Sequence, residues 1–285
     1  MPAELDDDLA PQVMISIRDL RVSYGTREIL HGVTFDVMRG ETMVILGGSG
    51  SGKSTLLRTL VGLEKPTSGN ILIGGQDIAK VSQQDMDAIR RKLGMSFQGS
   101  ALFGSMTVGE NVALPLREHT QLEESTIEIM LRLKLEQVGL AGFEDYKPSE
   151  LSGGMKKRAA VARALAMDPE MLFFDEPSAG LDPIIAAGID QLILELKRAF
   201  RMTIIVVTHE LASAFLIADR MVLIDKGNMV AIGTTEEMRS STQPRLRQFL
   251  DRIAEPEVAR EMDYLQMLTE TPASRARAAS ARRGA

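Results

Sequence analysis

Nine residues constrain this chain more than any other stretch: Gly47-Gly48-Ser49-Gly50-Ser51-Gly52-Lys53-Ser54-Thr55. They follow a short apolar run at 42–46 that reads as a buried strand. They precede Leu56, Leu57, Leu60 and Val61, which lie at helical spacing. Strand, glycine-rich turn and helix in that order make a phosphate cradle. The glycines let backbone N–H groups turn inward and approach phosphate oxygens, and the helix N-terminus adds partial positive charge. Lys53 is spaced to reach the β- and γ-phosphates of a nucleotide, and the Ser54 hydroxyl to ligate Mg²⁺.

A second apolar run, at 171–174, ends in Asp175-Glu176. A carboxylate at a strand end can hold Mg²⁺ directly or through water. A second one beside it is suited to orienting, or taking a proton from, an attacking water. Strand and helix signals alternate around these two landmarks. Strand patterns lie at 13–19, 33–37, 70–73, 203–207 and 221–224, and a turn at 226–228 leads into 229–232. Helical patterns lie at 184–200 and 211–218. Repeated βα units imply a largely parallel sheet, buried on both faces. The stretch from about 100 to 168 differs: helical patterns, including one between 123 and 139, and little β signal mark it as an insertion in the α/β core.

Composition closes several alternatives. The net charge of −6 gives no electrostatic reason to expect nucleic acid as a partner. With no cysteine, thiolate catalysis, disulfides and cysteine metal sites are excluded. No apolar run approaches the length that spans a bilayer. Residues 1–12 are acidic, without a basic start or apolar core, and are expected to be a disordered lead rather than a secretory signal. Beyond about residue 244, amphipathic patterns for one or two helices run to 268, with Tyr264 among them. A basic tail with Arg275, Arg277, Arg282 and Arg283 follows.

Five further features, in chain order Tyr24, Gln98, the segments 151–155 and 178–182, and His209, resemble the ATP-binding cassette (ABC) ATPases over roughly residues 13–240. Leu151-Ser152-Gly153-Gly154-Met155, between phosphate loop and acidic strand, is similar to the family signature. A plain helix cap would account for Ser152 but not for the glycine pair. Gln98 is similar to the glutamine that contacts Mg²⁺ and the attacking water, and His209 to the switch histidine that bonds the γ-phosphate. Ser178-Ala179-Gly180-Leu181-Asp182 resembles the loop that touches the partner subunit near the nucleotide, and Tyr24 the aromatic that stacks on adenine. The resemblance implies an ABC-type P-loop ATPase core with a mostly parallel sheet, an antiparallel β subdomain and an inserted helical subdomain. It implies a cassette domain at 13–243 and a C-terminal extension at 244–285. It also implies that ATP and Mg²⁺ are bound, that Lys53, Gln98, Glu176 and His209 act in hydrolysis, and that Ser54, Gln98 and Asp175 serve the metal.

In the family the signature serves the nucleotide held by the other subunit, which implies a head-to-tail homodimer. Met155 stands where many cassettes have Gln. That residue, with the stretch from Gln98 through Phe103, Met106, Glu110 and Asn111 to Pro115 and Glu118, resembles the cassettes of Mla-type and related Mce-type lipid transporters. The likeness implies an integral-membrane permease, a Mce-type lipid-binding subunit and a small accessory protein as partners. It implies a place on the cytoplasmic face of an inner membrane, held peripherally by the permease. Cassettes for polar solutes such as amino acids more often have Gln at position 155. Soluble cassettes of translation carry two copies per chain and those of DNA maintenance long coiled coils, neither of which is seen here.

Overall fold

The structure is a computed structural model and describes residues 12–253. The expected acidic lead and most of the C-terminal extension, with Tyr264 and the tail arginines, lie outside the described residues. The chain divides into two units, one ending at Ser241 and one beginning at Thr242. The first runs β1 (Val13–Tyr24), β2 (Arg27–Met38), β3 (Thr42–Leu46), α1 (Lys53–Leu60), β4 (Ser68–Ile73), β5 (Gln76–Asp77), α2 (Gln83–Arg91), β6 (Leu93–Ser96). It continues α3 (Val108–His119), α4 (Glu124–Gln137), α5 (Gly153–Leu165), β7 (Met171–Asp175), α6 (Pro183–Phe200), β8 (Thr203–Thr208), α7 (Leu211–Ile217), β9 (Arg220–Asp225), β10 (Asn228–Thr234), α8 (Thr235–Ser240). In the second unit the described part holds one helix, α9 (Pro244–Leu250).

One sheet is antiparallel, in the order β2-β1-β4-β5; the other has the order β10-β9-β3-β8-β7-β6. In the second sheet every neighbouring pair is parallel except β9 with β10. The sequences explain the difference. The strands β3, β7 and β8 are buried at every position, as strands covered on both faces must be. Alternate residues of the parallel strands, Ile45, Phe173, Val207 and Val222 among them, join Ile17 and Leu20 of β1, Phe35 of β2 and Leu56 and Leu60 of α1 in one core. Burying each such side chain contributes about 1.5–3 kcal/mol. On the remaining elements, α7 packs on β3 and α5 on β6.

The strands β1 and β2 run well past the expected 13–19 and 33–37. Their ladder slips in register between Ile17 and Leu20, where Asp19 takes a positive φ of 44°. That bulge breaks the alternation a half-buried strand should display, while the pairing continues beyond it. The insertion is helical as expected, built of α3, α4 and α5, which pack on one another. Its first helix opens on a capping box, Thr107 with Glu110, and the expected helix between 123 and 139 is α4.

Candidate active site

Register alone gathers the landmarks. Leu46, the last residue of β3, lies opposite Thr208 of β8, and Val207 opposite Asp175 of β7. Ser96, ending β6, lies opposite Phe174. Four parallel strands therefore finish together, and the residues just past their ends are the phosphate loop, His209, Glu176 and Gln98. Ligands of open α/β sheets bind at this carboxyl edge.

The phosphate loop enters α1 through Gly52, whose φ of +104° is one that a side chain would strain. No side chain caps α1, so its first N–H groups stay available to an anion. Lys53 is buried and its ammonium donates to the carbonyls of Gly47 (2.9 Å) and Gly48 (3.0 Å). Burial lowers the Lys53 pKa, and the negative charges of Glu176 and Asp175 oppose that shift. The Ser54 hydroxyl lies 3.3 Å from Asp175 Oδ1 and donates to it. Burial raises the Asp175 pKa, against the lowering effect of the Ser54 bond, and Glu176 raises it further.

Glu176 has a left-handed backbone, φ 49°, fixed by its N–H donating to the Val207 carbonyl at 2.9 Å. Its side chain lies 2.9 Å from His209 Nδ1 through both oxygens and accepts from the Thr208 hydroxyl at 3.3 Å. A carboxylate oxygen accepts, so in this contact His209 Nδ1 is the donor. His209 itself is half-exposed. Gln98 is an exposed turn residue just past β6, and its backbone carbonyl accepts from the Lys157 ammonium.

Tyr24 ends β1 with its ring half-exposed; its hydroxyl donates to Glu64. Burial and Glu64 raise the Tyr24 pKa while the Thr55 hydroxyl lowers it, so the ring stands beside the start of α1. The signature segment forms the N-terminus of α5. Ser152 is its N-cap, accepting from Met155 N–H at 3.3 Å, and Ser152 and Gly153 are exposed. A Cβ at Gly154 would sit 2.4 Å from Ile185 Cγ2, so glycine is what lets α5 approach α6 there. Asp182 caps α6, accepting from the N–H groups of Ile184 and Ile185 at 3.1 Å. Among the described residues no hydrogen bond joins Ser152, Gly153, Gly154 or Asp182 to the phosphate loop.

Sequence reasoning passed over two cations of α5, the buried Lys157 and the half-buried Arg163. Lys157 donates to the carbonyls of Gln98 and Glu176, and Arg163 to those of Ser100 and Ala101. A signal existed: Lys157 shares a helix face with Ala160 and Val161, both buried, where a cation needs a partner.

The ABC transporter family profile matches residues 30–179. The chain is 42% identical over 260 residues, 90% of its length, to the probable ribonucleotide transport ATP-binding protein mkl of Mycobacterium leprae, of which it covers 75%. It is 42% identical over 242 residues, 85% of its length, to the intermembrane phospholipid transport system ATP-binding protein MlaF of Escherichia coli, of which it covers 90%. Among solved structures it is similar to the dimeric ATP-binding cassette MJ0796 in a post-hydrolysis state bound to ADP and Pi, with TM-score 0.71 and 31% identity over 78% of this chain and 99% of that one.

Proposed function

The chain belongs to the ABC transporter family of ATPases, and from that premise we propose that it energises lipid transport between two membranes through a separate permease. The observation that carries the hydrolytic part is the convergence of Lys53, Asp175, Glu176, His209 and Gln98 at one sheet edge. The phosphates of ATP lie on the N–H groups at the start of α1, and Lys53 turns from its own loop carbonyls to the β- and γ-phosphates. Glu176 orients a water and accepts its proton as the water oxygen attacks the γ-phosphorus. The bond from that phosphorus to the β-phosphate oxygen breaks, and ADP and phosphate leave. His209, engaged with the Glu176 carboxylate in the structure, holds that group and bonds the γ-phosphate. Gln98 helps to position the water, and Tyr24 stacks on the adenine.

Mg²⁺ fits this site. Ser54 and Asp175 supply two hard oxygens side by side, and among the described residues there is no cluster of three or more metal-binding side chains. That is the donor set of an ion which takes its other ligands from phosphate and water. When bound, it neutralises charge on the phosphates.

Ser152, Gly153 and Gly154 act on the nucleotide of a second copy, in a head-to-tail pair; the dimeric state of the similar MJ0796 cassette supports this. Residues 13–243 make up the cassette, with the helical insertion as its arm toward the permease. A cleft of about 790 Å³ beside Gln98, with Phe97, Phe103 and Pro115 in its wall and Arg91 and Glu118 charged at its side, supports docking of a membrane partner there. No helix among the described residues is long and apolar enough to cross a membrane, so the permease supplies the span. The chain then sits peripherally on the cytoplasmic face of the inner membrane.

The lipid cargo rests on Met155, on the stretch after Gln98, and on the name and near-complete coverage of MlaF. A second reading is favoured by the other relative, whose name gives ribonucleotide transport at equal identity. Tagging the protein in its host and identifying what co-purifies from gently solubilised membranes separates them. A permease with a Mce-type lipid-binding subunit and a small accessory protein is the expected result. A permease with a solute-binding partner overturns the lipid reading, and soluble assemblies without a permease overturn transport.

A further inference from the structure

The signature helix α5 turns two cations toward the segment 98–101. Lys157, 6% exposed, donates to the Gln98 carbonyl and, at 3.2 Å, to the Glu176 carbonyl. Farther along the helix, Arg163 donates to the carbonyls of Ala101 at 2.8 Å and Ser100 at 3.1 Å. The backbones these cations hold are unusual. Ser100, Ala101 and Glu176 have positive φ of 62°, 50° and 49°, and side-chain-bearing residues keep such conformations only where their surroundings fix them.

We propose that Lys157 is a positioning residue for ATP hydrolysis, fixing the backbones of Gln98 and Glu176 together from the helix that begins with the signature. This rests on the hydrolytic roles given above to Gln98 and Glu176, and deepens that reading. An ammonium has three donors and no acceptor, so one side chain can tie two carbonyls from separate segments. Buried carbonyls bound to a charge are held more firmly than those bound to water or to a neutral donor. Lys157 lies about 7.5 Å along the helix from Ser152, at about 1.5 Å per residue. When the exposed end of α5 meets the phosphate on a second copy, the helix moves as a rod. Lys157 then carries that movement to the two carbonyls, and through them to the side chains that address the water. Arg163 keeps the rest of the Gln98 loop with the same helix. Asp175 and Glu176 supply the negative field that favours the charged lysine against its burial.

The test uses the full-length protein with Mg-ATP. Lys157→Met keeps the length and removes the donors; Lys157→Arg keeps donors and charge. For Lys157→Met, kcat should fall about tenfold to a hundredfold, the scale of a small misplacement of catalytic groups. KM and the affinity for a non-hydrolysable ATP analogue should stay within about twofold, because the phosphate loop is untouched. Lys157→Arg should regain most of the rate. The double variant with Gln98→Ala should lose less than the product of the two single losses, because Lys157 acts in part through that residue. A purely structural lysine would instead lower Tm and analogue affinity together, and its loss would add to that of Gln98. A wild-type kcat in folded Lys157→Met, or strict additivity with Gln98→Ala, overturns the inference. If Lys157→Met does not fold, Lys157→Gln replaces it: a shorter donor that reaches one carbonyl predicts an intermediate kcat at unchanged affinity, and a wild-type kcat overturns the proposal. Glu176→Gln is assayed alongside. An active Glu176→Gln removes the underlying reading, whereas an inactive one beside a fully active Lys157→Met removes this inference alone.

Discussion

Two helices of this protein begin in glycine-rich turns, and they treat their N-termini in opposite ways. At α1 the cap residue is Gly52, no side chain closes the end, and Ser51, Gly52 and Lys53 are buried among the strand ends. At α5 the cap is Ser152, its side chain satisfies one N–H, and Ser152 and Gly153 face outward. The first terminus is surrounded by the groups that phosphoryl transfer needs. The second has the donors for an anion but no such groups bonded to it. On the function proposed above, the two termini are the two halves of one site, each chain lending one half to its copy.

The largest effect expected lies at the first terminus. Glu176→Gln should lower turnover by roughly 10²–10⁴-fold, the usual contribution of a positioned base. It should leave ATP binding and ATP-dependent pairing in place, as followed by steady-state phosphate release and by sedimentation with ATP. An unimpaired rate would end the assignment of Glu176.

At the second terminus, Gly153→Asp puts a carboxylate on an exposed first-turn position. The added Cβ would lie 3.3 Å from Leu181 Cδ2, the end of a flexible side chain. An acid there is favourable for the helix by about 0.3–1 kcal/mol but repels a phosphate brought to it. Tm should be unchanged or slightly higher and ATP affinity of the single chain unchanged. Pairing on ATP and turnover should fall by about tenfold or more, as expected from losing charge-assisted hydrogen bonds worth about 1.5–3 kcal/mol. If Gly153→Asp weakened ATP binding to the single chain, the two termini would not be separable and the comparison would break.

The smallest effect belongs to a carboxylate outside both. Asp190 of α6 is buried, one oxygen accepting from Ser213 at 2.7 Å and the other without a hydrogen-bond partner. Burial raises its pKa. Because the folded-state value lies above the unfolded one, ionised Asp190 opposes folding. Wild-type stability is then eroded as pH rises from about 4, the ordinary carboxylate value, through the raised one. Asp190→Asn should match wild type below that window and exceed it by about 1 kcal/mol above it. The difference is read as Tm against pH, and a gap that did not change with pH would refute it.

The clearest parts of the fold in the sequence were those whose cause is local. The run 171–174 is apolar because β7 is covered on both faces, and the glycines of 47–52 are there because the backbone itself binds. The helix α2 escaped notice because it is almost entirely polar, with only Met86 and Ile89 buried. Its local signs were Ser82 capping Asp85 N–H, with an acid in the first turn and Arg90 and Arg91 in the last. Within the site, Lys53, Asp175 and Glu176 were legible from chemistry, and Gln98, His209 and Tyr24 only through family likeness. Lys157 and Arg163 were not, because their acceptors are carbonyls 19 to 63 residues away in sequence, which no periodicity records.

The strand order also sets a timetable for synthesis. The strand β3, which delivers the phosphate loop, pairs only with β8 and β9, and none of the strands made directly after it joins it. Its apolar edge therefore waits until more than 150 further residues have been made, a long-range closure that is slow and exposed to mispairing. A nascent chain stopped before residue 203 lacks both of β3's neighbours. Nucleotide competence is then acquired late and all at once, and truncated products of this gene should be inert toward ATP rather than partly active.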